Sequence, residues 1–147
     1  SRAQQWGVDP SRVGMIGFSA GANMVLNLAC QKSPAQPTAA DVVERFHGRP
    51  DFMVLACLWR SQQKSMRDFK LSANLPPAFI VAAEDDKVSP ATEAAEMAKA
   101  FQAFSIPTRL EIYKKGGHMG FNFPNPVNAD WTDRLQNWLK QQKLVKP

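Results

Sequence analysis

The chain has 147 residues, 44% of them hydrophobic and 21% charged, which is the size and balance of one globular domain and excludes a fibrous or low-complexity segment. A chain this long buries about two-thirds of its unfolded surface. Its formal net charge of +5 does not point to nucleic acid, because the eighteen Lys and Arg residues are scattered and gather only modestly at Lys140, Lys143 and Lys146. No apolar run approaches the ~20 residues of a membrane span, and Ser1 to Trp6 has no hydrophobic signal region, so no membrane role is expected.

In chain order, the turn residues Asp9-Pro10-Ser11 lead into a short apolar run, Val13 to Phe18, that predicts a buried parallel strand ending at a glycine-flanked serine. A helix is expected from Ala20 to Gln31, where Met24, Val25, Leu28 and Ala29 recur at helical spacing and Ser33-Pro34 with Pro37 ends the run. Residues 32 to 50 read as a long connection with a short helical piece around Asp41 to Phe46. Phe52 to Leu58 is a second apolar strand, and Trp59 to Asn74 is polar and aperiodic, a surface excursion. Pro76-Pro77 introduces a third strand, Ala78 to Ala83.

Ala94, Met97, Phe101 and Phe104 share one face of an amphipathic helix from Ala91 to Phe104, which Pro107 closes. Arg109 to Tyr113 alternates as a fourth strand would, and Trp131, Leu135, Trp138 and Leu139 mark a last helix within Ala129 to Gln142. Strands separated by helices predict an α/β fold: about four parallel strands, right-handed crossovers and helices on both faces. In such sheets chemistry is sought beyond the carboxyl ends of the strands.

Gly17-Phe18-Ser19-Ala20-Gly21 fits the G-x-S-x-G nucleophile elbow, and it lies between a predicted strand and a predicted helix, as that turn requires. The tightness of the turn accounts for the small residues Gly17, Gly21 and Ala22. The helix behind it aims its free N–H groups at the site, so the Ala20 N–H is the candidate donor to a developing oxyanion. A plain helix cap is the competing reading of Ser19.

A serine hydroxyl needs a base oriented by a carboxylate. Of the two histidines, His118 follows the fourth strand among glycines, whereas His47 sits in the long connection and reads as a surface residue. The carboxylate should follow the third strand, where Glu84, Asp85 and Asp86 stand together. Asp86 is chosen because Asp86-Lys87-Val88-Ser89-Pro90 forms an Asp-x-x-x-Pro turn, with Asp85 the alternative and Glu84 a solvated loop residue. Cys30 and Cys57 lack Cys-x-x-Cys spacing and sit in apolar surroundings, so both read as core residues, and no metal or cofactor is expected.

The segments Gln5 to Gly14, the elbow at 17–21, Arg49-Pro50-Asp51-Phe52, Pro76-Pro77-Ala78-Phe79, Glu84-Asp85-Asp86 and Lys115-Gly116-Gly117-His118 resemble successive blocks of one branch of the α/β-hydrolases. It is the acetyl-xylan esterase and carboxylesterase-like branch, and the resemblance covers nearly the whole chain. Two positions depart from its pattern: Cys57-Leu58-Trp59 stands where Tyr-Pro is expected, and Met119 where a glycine usually follows the histidine.

The resemblance implies a cofactor-independent serine hydrolase that cleaves short acyl esters, such as carbohydrate acetyl groups, through Ser19, Asp86 and His118. It also implies strands before the elbow and a His-Gly-Gly-type loop supplying a second oxyanion donor, which these residues do not contain. The expectation is therefore the C-terminal part of the family domain, with Ser1 to Gly7 the tail of a helix, a weakened activity, and a strand 13–18 free to pair with another chain in a homo-oligomer. Two further readings share the motifs: a prolyl-oligopeptidase-type peptidase fragment, and a non-catalytic remnant acting as an association module.

Overall fold

The computed structural model describes residues 2–31, 35–60, 68–121 and 128–145. In chain order the elements are α1 (Ala3–Trp6), β1 (Gly14–Phe18), α2 (Ala20–Cys30), a 3-10 turn (Val43–Arg45), β2 (Phe52–Ala56), β3 (Ala78–Ala83), α3 (Ala91–Ala103), β4 (Thr108–Tyr113) and α4 (Trp131–Gln141). The four strands form one sheet in the order β1-β2-β3-β4, and each neighbouring pair is parallel. The expected strands and long helices are all present, with ends that differ by a residue or two; the stop signal at Ser33-Pro34 and residues 61–67 of the expected excursion lie outside the described residues.

Strand pleat divides the core into two layers. Met53 and Leu55 of β2 and Ala78, Ile80 and Ala82 of β3 face α2 and α3, whereas Val54, Ala56, Phe79, Val81 and Ala83 face α4 and Phe121. Every residue of β3 is buried, as a strand covered on both faces must be, which is why it reads as an unbroken apolar run. On the α4 side the packing is aromatic: Trp131 meets the Phe18 and Phe121 rings edge-on at centroid distances of 6.1 and 6.3 Å.

Several expectations need correction. Among the described residues β1 has β2 as its one sheet neighbour, and Met15 and Ile16 remain 37% and 50% exposed, which departs from the buried strand read from the apolar run and agrees with the free edge that the resemblance implied. In α2 the buried stripe is Ala22, Val25, Leu26 and Ala29, and Met24 points outward. Helical spacing alone admits several overlapping stripes; the sheet selects one. Phe104 lies past the end of α3 and is exposed, and Ala98 joins Ala94, Met97 and Phe101 on the buried face.

In β4 burial does not follow the alternation of residue type throughout: Arg109 is exposed, but Glu111 is buried and Ile112 exposed. Glu111 is accommodated because Arg109 Nε and Arg134 Nη1 donate to its two carboxylate oxygens at 2.6 and 2.9 Å. Within the excursion after β2, Phe69 is not a surface residue but part of the core.

Candidate active site

β1 runs into α2 through one residue, Ser19, whose backbone sits at φ 53°, ψ −120°. This conformation is sparsely populated for a residue with a side chain, and it persists because its surroundings fix it. The Ser19 N–H donates to Ala56 O at 2.9 Å, and Ser19 O accepts from the N–H groups of Ala22, Asn23 and Trp59. A Cβ at Gly17 would collide with the backbone of Gly21 and Ala22, so only glycine lets the strand pass this close to the helix. The steric explanation does not extend to Gly21, where a Cβ meets nothing within 4 Å. Ala20 opens α2, so its N–H belongs to the first turn, whose donors have no partner within the helix.

Asp86 follows β3 in a turn closed by its own N–H on Ala83 O. Its Oδ1 accepts from the N–H groups of Val88 and Ser89 at 2.8 and 2.9 Å, the local reason for the Asp-x-x-x-Pro pattern. Its side chain is fully buried. Burial acts to raise its pKa, but the hydrogen bonds from Ser89, His118 and Val88 outweigh it and hold the carboxyl below its ordinary value.

His118 leaves β4 through Gly116 at φ 145° and Gly117 at φ 57°, backbone conformations that favour glycine. Asp85, the alternative acid, does not meet the imidazole. It is exposed, and its Oδ1 accepts the Gly117 N–H at 2.8 Å, so it ties down the loop that carries the histidine. His118 Nδ1 lies 2.8 Å from Asp86 Oδ2, and its Nε2 lies 2.7 Å from Ser19 Oγ. Against an ionised carboxylate the ring proton sits on Nδ1, which leaves the Nε2 lone pair to accept the Ser19 hydroxyl. His47 is exposed in the long connection, as expected.

Sequence reasoning took Cys57 as a core residue and as part of a departure from the family pattern, not as a neighbour of the acid. It is buried, at 1% exposure, but it also adjoins the Asp86 carboxylate. Burial, the Asp86 charge and a hydrogen bond to Asp86 push its thiol up to about 12. Nothing in the local sequence marks that contact, which arises because β2 and β3 are neighbours in the sheet. Two further residues shape this rim. The Asn23 amide donates to the carbonyls of Trp59 and Arg60, and Arg60 forms ion pairs with Glu93 and Glu96, so α2 and α3 both grip the segment leaving β2.

Comparison with known proteins agrees with this architecture. An acetylxylan esterase from Xylanibacter ruminicola is 25% identical over 167 aligned positions, covering 94% of this chain and 32% of that protein. Among solved structures, an acetyl ester-xyloside bifunctional hydrolase from Caldicellulosiruptor lactoaceticus superposes with a TM-score of 0.84 at 23% identity, covering 99% of this chain and 62% of that one. A carboxylesterase from Lactobacillus plantarum gives a TM-score of 0.74 at 17% identity, over 99% of this chain and 64% of its own. The chain thus spans less than two-thirds of each of these relatives. The dienelactone hydrolase family profile matches residues 2–147, and the chain belongs to that family of α/β-hydrolases.

Proposed function

We propose that this chain carries the nucleophile, base and acid of a serine ester hydrolase acting on short-chain carboxylic esters, with carbohydrate acetyl groups as the substrate class to test first. The observation that supports this reading best is the continuous hydrogen-bond chain from Ser19 Oγ through the His118 ring to Asp86, at 2.7 and 2.8 Å. A likeness to an acetylxylan esterase at 25% identity points to the substrate class.

In this mechanism His118 Nε2 takes the Ser19 proton as Oγ attacks the ester carbonyl. The Ala20 N–H, at the positive end of α2, stabilises the developing oxyanion. As the tetrahedral intermediate collapses, His118 returns the proton to the departing alcohol. Water then repeats the cycle on the acyl-Ser19, with His118 again as base, and Asp86 keeps the ring in the working tautomer throughout. No cofactor takes part. Ala20 is the oxyanion donor this reading names among the described residues, and removing one such donor typically costs ~100 to 1000-fold in turnover.

A fluorophosphonate probe tests the proposal. Labelling of the chain that vanishes in Ser19→Ala supports an activated nucleophile; an unlabelled, folded wild type favours the non-catalytic remnant. The exposed apolar edge of β1 carries a second part of the proposal, that the isolated chain pairs with its own copy there. A monomer by light scattering at micromolar concentration refutes that part.

A further inference from the structure

A buried nucleophilic group that the hydrolysis mechanism does not use, the Cys57 thiol, stands against the site. The Cys57 sulfur, a carboxylate oxygen of Asp86 and a ring nitrogen of His118 all lie within 4.8 Å of one another. The three donors leave the ends of consecutive strands, β2, β3 and β4, and their backbones are fixed: the Cys57 N–H donates to Val81 O at 2.8 Å, Val88 and Ser89 hold Asp86, and Asp85 holds the Gly117 N–H beside His118. Cys57 and the Asp86 side chain are buried, and the His118 side chain is 19% exposed.

One thiolate, one carboxylate and one imidazole make a mixed sulfur, oxygen and nitrogen set, which suits zinc-group cations and not the all-oxygen preference of magnesium or calcium. Charge balance favours a divalent ion in particular. Its two positive charges are cancelled by one thiolate and one carboxylate, so the occupied site is neutral and avoids the cost of burying a net charge. Three protein ligands leave the fourth tetrahedral position to water.

We propose that Cys57, Asp86 and His118 form a binding site for a thiophilic divalent cation, whose occupation disables His118 as a base. On binding, Cys57 exchanges its thiol proton for a bond to the metal. Nδ1, the ring nitrogen turned to Asp86, does the same, and the neutral imidazole carries its proton on Nε2 instead. One proton is released in total, and nothing is oxidised or reduced. Nε2 then donates to Ser19 Oγ instead of accepting from it, so the hydroxyl has nowhere to pass its proton. The metal and the Nδ1 proton compete for one ring lone pair, which makes the two states mutually exclusive. The inhibitory effect rests on the hydrolase reading; the binding does not.

Cadmium ion is the probe, because its bond to a thiolate gives an ultraviolet charge-transfer band that oxygen and nitrogen ligands do not. Wild type, Ser19→Ala, Cys30→Ser and Cys57→Ser are titrated with cadmium chloride, with far-ultraviolet circular dichroism as the check on folding and Cys57→Ala replacing the serine variant if that one is unfolded. The expected result is a saturable band in the first three proteins and none in the Cys57 variant. Hydrolysis of p-nitrophenyl acetate by wild type and the cysteine variants, each normalised to its own metal-free rate, should be inhibited reversibly by cadmium and restored by EDTA. Loss of Cys57 should raise the inhibitory concentration more than ~100-fold, since loss of a mere supporting bond to a ligand costs ~10 to 100-fold. No band in wild type, a band that survives without Cys57, or equal inhibition of wild type and the Cys57 variant overturns the proposal. A band without ester turnover in any variant sinks the hydrolase reading and leaves the metal site standing.

Discussion

Ser19 can be made to report the strain at the turn from β1 into α2 independently of any activity. Its φ of 53° and ψ of −120° lie in a region that a Cβ disfavours, at a cost of about 1–3 kcal/mol. Ser19→Ala and Ser19→Gly both remove the hydroxyl and with it the bond to His118 Nε2, so that loss cancels between them. They differ in the Cβ. Glycine relieves the strain, but its freer unfolded chain costs about 0.5–1 kcal/mol relative to alanine. The net expectation is that Ser19→Gly is more stable than Ser19→Ala by up to about 2.5 kcal/mol, or up to roughly 10 °C in melting temperature for a domain of this size. Urea denaturation of the two variants, with equal slopes required for a valid comparison, gives the difference. A glycine variant less stable than the alanine variant refutes the claim that the turn is strained at this residue.

Two further outcomes concern Asp86. Asp86→Asn keeps an acceptor for Val88 and Ser89 but turns an amide toward Nδ1, forcing the ring proton to Nε2. Ester turnover should fall by ~10,000-fold with the fold intact by circular dichroism, and a loss below about tenfold argues against the assigned role. The same substitution has a pH signature. A carboxyl held below its unfolded value of 3.8 stabilises the native state above that pH and loses the contribution as the pH drops through the lower folded value. The stability advantage of wild type over Asp86→Asn should therefore shrink in acid below pH 3.8; a constant difference between neutral and acid solution contradicts the depressed pKa.

Much of the fold was legible because its signals are local. The β3 strand reads directly from Ala78 to Ala83, since a strand covered on both faces shows no polar position, and the elbow reads from Gly17, which the backbone of Gly21 and Ala22 leaves no room to replace. The helices were found, and the buried faces of α3 and α4 largely as well, through Ala94, Met97 and Phe101 and through Trp131 and Trp138. The face of α2 was not: Met24 and Ala22 are equally compatible with a helical stripe, and contact with the sheet decides between them. Glu111 shows the same limit in a strand, because its burial depends on Arg134, 23 residues away on α4.

The sequence by itself determined which residue types stand at the ends of the strands, because turn chemistry and strand period act over a few neighbouring residues: the serine after β1, the aspartates after β3, the histidine after β4. Only the tertiary structure decided which of them meet. The parallel order of β2, β3 and β4 and the turns at their carboxyl ends bring Asp86 to the imidazole, send Asp85 to the Gly117 N–H, and set Cys57 against the carboxylate. A hydrogen bond is a matter of tenths of an ångström across segments distant in the chain, and the packed sheet supplies that precision where local sequence pattern cannot.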